Sequence, residues 1–182
     1  MLYEYLSKAR LTAALRRLSE LATAEGVVLD VALYGGAVFT LVYGSRESTR
    51  DVDAIITPAD IGARLVAVVA EEQGLVPDWL NHQVRQFLSP AGQLRKFPTD
   101  DFAPGLRILI PTAAYLLALK LNASRRPLPG YAGDEADIRF LLGRIKPDTI
   151  EAVEELHDRF FKGEGLHDRA IELIKEYLEA PK

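Results

Sequence analysis

The sequence predicts an α/β (α+β) fold: a small mixed β-sheet flanked by helices, with an all-helical C-terminal annex. Three observations carry this. Apolar, β-branched runs at residues 27–34 and 51–56 alternate with stretches of helical period. Between Gly74 and Pro111 the helical period disappears and short apolar runs alternate with Pro and Gly, as in the second half of a small sheet. After Pro111 only helical periods remain, which separates this order from a doubly wound fold. The division is therefore a sheet domain over residues 1–111, N-terminal helix included, and a helical region over 112–182 packed against it.

In chain order, residues 5–25 place Leu6, Ala9, Leu11, Ala14, Leu15, Leu18, Leu21 and Ala22 on one helical stripe, and Gly26 stops it. Residues 27–34 read as a strand, Gly35-Gly36 as a tight turn and residues 37–43 as a short buried helix. Residues 44–50 are polar and turn-rich and run into Asp51-Val52-Asp53-Ala54-Ile55-Ile56, whose latter half reads as buried strand. Thr57 is expected to cap, and Pro58 to open, a helix ending near Gln73. Candidate strands follow at 84–88, 94–97 and 106–110, then helices near 112–125, 134–145, 148–162 and 166–179. Asp148 and Glu151 have capping-box spacing. The echo of Leu156-His157-Asp158-Arg159 in Leu166-His167-Asp168-Arg169 is too short for a repeat architecture.

Composition narrows the chemistry. The chain has 182 residues, 48% of them apolar, which is ample for a core. With no cysteine, thiol nucleophiles, disulfides and cysteine-based metal modules are excluded, so any metal must sit on oxygen or histidine. Charges at Glu4, Lys8 and Arg10 interrupt a signal-peptide core, and no apolar run reaches the roughly 18 residues of a membrane span, so a cytoplasmic protein with no membrane partner is expected. The net charge is −4, which argues against a coat of nucleic acid, yet the charge is uneven. Residues 134–182 carry −5 and residues 1–133 carry +1, with Arg85, Arg95, Lys96, Arg107, Lys120, Arg125 and Arg126 clustered in the middle of the chain. A polyanion would meet that middle, and the acidic tail would solvate or meet a basic partner.

The informative stretch is Gly35-Gly36 followed, one short helix and one polar turn later, by Asp51-x-Asp53 at the mouth of a strand. Side chains two apart on a strand point the same way, so the carboxylates would project together. Such a pair is unfavourable without a cation between its members, and a divalent ion on oxygen ligands is the usual answer. Glycines without Cβ atoms let backbone approach a triphosphate, and the following helix offers N–H groups to the anion. Alone, a Gly-Gly is also an ordinary turn and Asp-x-Asp a solvated strand edge; their order on strand, helix and strand is what points to a site.

Together with Arg46-x-Ser48-Thr49-Arg50, these motifs resemble the nucleotidyltransferase superfold of DNA polymerase beta, and within it the AbiEii-type bacterial nucleotidyltransferases of toxin-antitoxin and phage-defence systems and their small relatives. The resemblance covers roughly residues 30–145 and implies a sheet of nucleotidyltransferase type. It implies Asp51 and Asp53 as catalytic metal ligands for Mg²⁺ or Mn²⁺, and Gly35, Gly36, Arg46, Ser48 and Thr49 as the nucleotide-binding set, Arg46 gripping phosphate in a forked geometry. Arg50 would face away as a surface charge. In the apolar run 113–121 Lys120 stands alone as a charge: either it is buried against an anion or it snorkels to the surface. Leu-x-x-Lys-Leu-x-Ala followed by a basic turn and Asp-x-x-Asp-Ile resembles the AbiEii pattern, which implies Lys120 as a catalytic lysine and Asp134 and Asp137 as supporting acids. Asp134 also fits a helix N-cap.

The resemblance also exposes a gap, because enzymes of this type place a third carboxylate on a later strand and the three candidate strands contain none. Asp78, Asp100, Asp101 and His82 are the nearby groups; a lone His82 is more often structural than a ligand. His157-Asp158 and His167-Asp168 lack the histidine cluster of a metal hydrolase. The expected activity is transfer of a nucleoside monophosphate from an NTP to a hydroxyl acceptor, an RNA 3′ end such as that of tRNA or a protein side chain, in the toxin of a toxin-antitoxin or phage-defence pair beside an antitoxin-like partner. The alternative is a weak or inactive nucleotide-binding regulator of the same fold that acts through a protein partner. A helical protein-binding module would leave the Gly-Gly and Asp-x-Asp spacing unexplained.

Overall fold

The computed structural model describes residues 5–126 and 133–180. The chain is a mixed α/β protein with a five-stranded mixed sheet and a second, two-stranded one. It divides into two compact units, one of Met1–Gln86 with Leu94–Ile110, the other of Phe87–Gln93 with Pro111–Lys182.

In the first unit the apolar stripe of the opening sequence becomes helix α1, Lys8–Ala24, shorter than its period because Leu6–Ser7 form strand β1 and the Ser7 side chain caps the helix by accepting from Arg10 N. Strand β2, Leu29–Leu33, is followed by the single α-helical turn α2, Gly35–Val38, and a π-helical turn, Phe39–Tyr43. Strand β3, Ser48–Thr49, pairs antiparallel with β1. Strand β4, Val52–Thr57, leads into helix α3, Ala59–Gln73, and then come β5, Leu80–Asn81, β6, Leu94–Lys96, and β7, Leu106–Pro111. The main sheet runs β5-β4-β2-β7-β6, with β2 antiparallel to β4 and parallel to β7, and β4 parallel to β5. Leu29, Val31, Ala32 and Leu33 are all buried, as a central strand covered on both faces requires.

Helices α1 and α3 pack together, and α3 lies so close on β4 that Gly62 rests against the Ile56 side chain. The Trp79 indole is fully buried and donates to Val66 O at 3.2 Å. Ser19 Oγ donates to Phe102 O at 2.6 Å and accepts from Gly105 N at 3.1 Å, tying α1 to the loop before β7.

Two expectations need correction. Thr57 is not a cap: it is the last residue of β4, paired with Asp30, and α3 starts after Pro58 with no side-chain cap. Residues 84–88 are not a strand, because Asn81 Oδ1 accepts from Gln83 N and turns the chain into a 3-10 helix, Gln83–Phe87. The edge strand beside β4 is instead β5, too short for a sequence period.

The second unit contains helices α4, Ala113–Ala123, α5, Glu135–Ile145, α6, Ile150–Asp158, and α7, Asp168–Glu179. Thr112 caps α4 and Thr149 caps α6, the latter in place of Asp148, since Thr149 Oγ1 accepts from Ala152 N at 3.2 Å. Helix α4 is buried over most of its length and packs against α5 and α6. Residues 87–93 belong here rather than to the sheet for a specific reason. Ser89 N donates to Tyr115 Oη at 3.0 Å, Ser89 Oγ donates to Phe160 O, and Gly92 lies flat on the Tyr115 ring. Among the described residues no helix is long and apolar enough to cross a membrane.

Candidate functional site

The β2–β4 register brings the two sequence motifs together. Leu33 pairs with Ala54, and the next step is closed by Tyr34 N donating to Asp53 O at 2.8 Å. The turn that follows therefore starts beside Asp53. Gly35 has φ of +54°, and a Cβ there would lie 2.8 Å from Asp53 Oδ2, so both the backbone conformation and the neighbouring carboxylate exclude a side chain. A Cβ on Gly36 would run into Thr49 Oγ1 and come 3.4 Å from Arg46 Nη1. Gly35, Gly36, Arg46, Thr49 and Asp53 are thus neighbours, drawn from four segments of the chain.

Their individual settings differ. The Arg46 guanidinium is half-buried and stands 5.7 Å over the Phe39 ring, which orients the fork. Thr49 is buried, and its hydroxyl donates to Asp51 O at 3.0 Å, so it braces the turn leading to the carboxylates. Ser48 is half-buried and held in the ladder opposite Ser7; Arg50 is exposed. Val52 and Ala54 are buried while Asp51 and Asp53 are half-buried, the alternation expected of a strand with one polar face.

Sequence reasoning missed Asn81. Strand β5 lies parallel to β4 with Asn81 opposite Asp53, and Asn81 Nδ2 donates to Asp51 Oδ2 at 3.2 Å. An amide therefore stands on the strand next to the Asp-x-Asp pair, where the resemblance leads one to look for an acid. The only sequence signal was its place directly after Trp79-Leu80, an apolar pair short enough to pass for a loop. Its neighbour His82 is exposed. Asp53 is a hard-oxygen donor beside a cradle that a Cβ would fill, a chemistry that suits a divalent cation bound with phosphate oxygens and water, while the Asp51 carboxylate meets Asn81 instead of the glycine turn. Among the described residues no group of three or more His, Cys, Asp or Glu side chains converges on one point.

Comparison with family models, with curated proteins and with solved structures finds no match to this chain. What the chain does must follow from its own side chains.

In the second unit Lys120 is buried rather than snorkelled, and its ammonium meets Asp134 Oδ1 at 2.7 Å and Asp137 Oδ2 at 2.8 Å. Asp134 starts α5 but its side chain does not cap it; Oδ2 accepts from Arg125 N and Arg125 Nε, each at 3.0 Å. Two carboxylates, almost wholly buried, are here met by the Lys120 ammonium and the Arg125 guanidinium. Of the seven bases in the middle of the chain, Lys120 and Arg125 are committed to this cluster and Arg107 to Asp30 at 2.6 and 2.7 Å. The basic run is accordingly weaker as a polyanion surface than its sequence suggests. His157 and His167 both reach Asn122, at its Oδ1 (3.4 Å) and its backbone O (3.0 Å), so the echoed motif serves helix packing. Burial pushes the His157 imidazole below its usual range, against the pull of Glu164 and Asp158.

Proposed function

We propose that the sheet unit binds a nucleoside triphosphate as its Mg²⁺ or Mn²⁺ complex and transfers the nucleoside monophosphate to a hydroxyl acceptor. The observation that supports this reading is the convergence of the Gly35-Gly36 turn, the Arg46 fork and the Asp53 carboxylate in one place. The glycine backbone and Arg46 bind phosphate oxygens, with Ser48 and Thr49 shaping the turn around them. Asp51 and Asp53 hold the cation, which when bound neutralises phosphate charge and lowers the pKa of the attacking hydroxyl. In the transfer the acceptor oxygen bonds to the α-phosphorus, the bond to the β-phosphate oxygen breaks, pyrophosphate leaves and the acceptor proton passes to solvent. The acceptor is an RNA 3′ end or a protein hydroxyl, and the biological setting is a toxin-antitoxin or phage-defence pair with an antitoxin-like partner.

In this reading the Lys120, Asp134, Asp137 and Arg125 cluster holds the helical unit together, because its ion pairs join α4 and the turn after it to α5 and are deeply buried. Incubating the pure protein with Mg²⁺, each labelled NTP and a pool of tRNA and protein acceptors tests the proposal. Label transfer lost in Asp51→Ala and Asp53→Ala supports it; no transfer with any NTP, with nucleotide binding indifferent to Asp51→Ala, refutes it.

A second reading has its own support. With Asn81 rather than an acid opposite Asp53, nucleotide binding without efficient transfer fits a regulator acting through a protein partner. Growth arrest on overexpression that Asp53→Ala relieves would favour the enzyme; tight NTP binding with no transfer would favour the regulator.

A further inference from the structure

We propose that the outer edge of strand β6, Leu94–Lys96, docks an extended acidic segment of a partner protein, which joins the main sheet as a further strand beside β6. The proposal does not rest on the nucleotide reading. In the strand order β6 stands three places from β4, about 14 Å at ordinary strand spacing, so the docked segment leaves Asp51 and Asp53 untouched.

The register shows which backbone groups are on offer. Thr112 N donates to Gln93 O at 3.0 Å and Phe97 N to Ile108 O at 2.9 Å. The partner's number falls as the number along β6 rises, so β6 runs antiparallel to β7. In such a ladder alternate residues bond the neighbouring strand, and Gln93, Arg95 and Phe97 turn their peptide groups to β7. Leu94 and Lys96 turn theirs the other way, and β6 ends the strand order. Among the described residues no backbone group meets those of Leu94 or Lys96 on that open side. All three residues of β6 are exposed, Leu94 at 40%. Pro98, which has no N–H, closes the open stretch.

The side chains select the occupant. Leu94-Arg95-Lys96-Phe97 reads apolar, basic, basic, apolar, and strand alternation puts Leu94 with Lys96 on one face and Arg95 with Phe97 on the other. Each face thus offers one cation beside one apolar side chain. Among the described residues no carboxylate pairs with Arg95 or Lys96, whereas Arg107 on β7 is taken by Asp30 and Asp101 by Arg16. A second copy pairing β6 with β6 would bring the same two cations together, which is unfavourable. The acids of this chain's own C-terminal region lie mostly in α5, α6 and α7, whose backbone groups are used within the helices. A nucleic acid could meet the two cations, but its phosphates would face the outward C=O groups of Leu94 and Lys96. A peptide strand reading apolar, acidic, acidic, apolar satisfies the backbone groups and both faces at once. That order is the same in either direction, so it fits a parallel or an antiparallel strand.

The test is fluorescence anisotropy of the full chain with a labelled peptide containing Val-Glu-Glu-Val flanked by Ser and Thr. The wild-type chain is expected to bind it and not the Val-Lys-Lys-Val counterpart. The double variant Arg95→Glu with Lys96→Glu, its fold checked by circular dichroism, should bind the Glu peptide at least about tenfold more weakly and prefer the Lys peptide. Two further Glu peptides carry backbone N-methyl groups, one at the first and third residues of the motif and the other at the second and fourth. Only one of these sets faces β6, so one peptide should lose at least about tenfold in affinity while the other binds like the unmodified peptide. This arm needs no variant of the protein. Equal binding of the two methylated peptides, or no binding of the Glu peptide, would overturn strand addition. A single-stranded oligonucleotide that binds more tightly than the peptide, with the same sensitivity to the double variant, would overturn the peptide as occupant. Self-association of the wild-type chain in sedimentation that the double variant loses would overturn it in favour of a second copy. Peptide binding by Asp53→Ala should match wild type, so a failure of the nucleotide reading leaves this result standing.

Discussion

Lys120→Met removes the one ammonium that lies between two deeply buried carboxylates. Lys120 is 5% exposed, Asp134 0% and Asp137 2%, and the ion pairs are 2.7 and 2.8 Å long. Methionine fills a similar volume and suits the apolar length of α4, so packing changes little and electrostatics dominate. Breaking a buried pair by deleting one partner costs about 3–5 kcal/mol, because the remaining charge stays buried. Asp134 keeps its bonds from Arg125, which places the expected loss toward the lower end, about 3 kcal/mol. For a unit of this size that corresponds to a fall in Tm of roughly 12–24 °C. Urea denaturation followed by circular dichroism at 222 nm measures it. Adding Asp137→Asn to Lys120→Met neutralises one of the two acids and should recover at least about 1 kcal/mol. A loss below about 1 kcal/mol for Lys120→Met, with no effect of the second change, would refute the view that this cluster is a mutually compensating structural element.

Other outcomes follow from the same geometry. Gly36→Ala drives a Cβ into Thr49 Oγ1 and toward Arg46, so it should cost about 1–3 kcal/mol in urea denaturation and weaken NTP binding in equilibrium dialysis; an unchanged protein would contradict the close packing. Arg46→Lys keeps the charge but loses the fork, and should weaken NTP binding about tenfold while leaving nucleoside binding unchanged. His157 is buried with its pKa lowered, so the unfolded chain binds its proton more readily than the folded one. Its contribution is fully present above the unfolded pKa, ~6.5, and is lost as pH falls from there toward the depressed folded value. Urea midpoints measured at pH 7.5 and 5.5 should fall with pH more steeply in wild type than in His157→Gln.

What the sequence made legible depended on how many residues carried each signal. Helix α1 is readable because seven of its apolar residues repeat on one stripe, and β2 and β4 because their buried residues are consecutive or alternate. The same two strands explain why Gly35, Gly36, Arg46, Thr49 and Asp53 converge, since an antiparallel register fixes where the end of one strand meets the start of the other. Strands β1, β3 and β5 are two residues long, and no period can be read from two residues. Asn81 was missed for that reason, along with the turn that follows it. Residues 87–93 read locally as part of the sheet because a local pattern cannot show Tyr115 and Phe160 claiming Ser89. Lys120 illustrates the opposite case: a single charge in an apolar helix does announce a buried partner, yet only the fold shows that it meets two acids, one of them shared with Arg125.

The most direct measurement of the central claim is a crystal of the full chain soaked with Mn²⁺ and a non-hydrolysable NTP analogue, with the ion located by its anomalous scattering. The account requires Mn²⁺ within coordination distance of Asp51 and Asp53, with triphosphate oxygens against the Gly35-Gly36 backbone and the Arg46 guanidinium. An ion or nucleotide bound elsewhere, with Asp51 and Asp53 contacting neither, would contradict it.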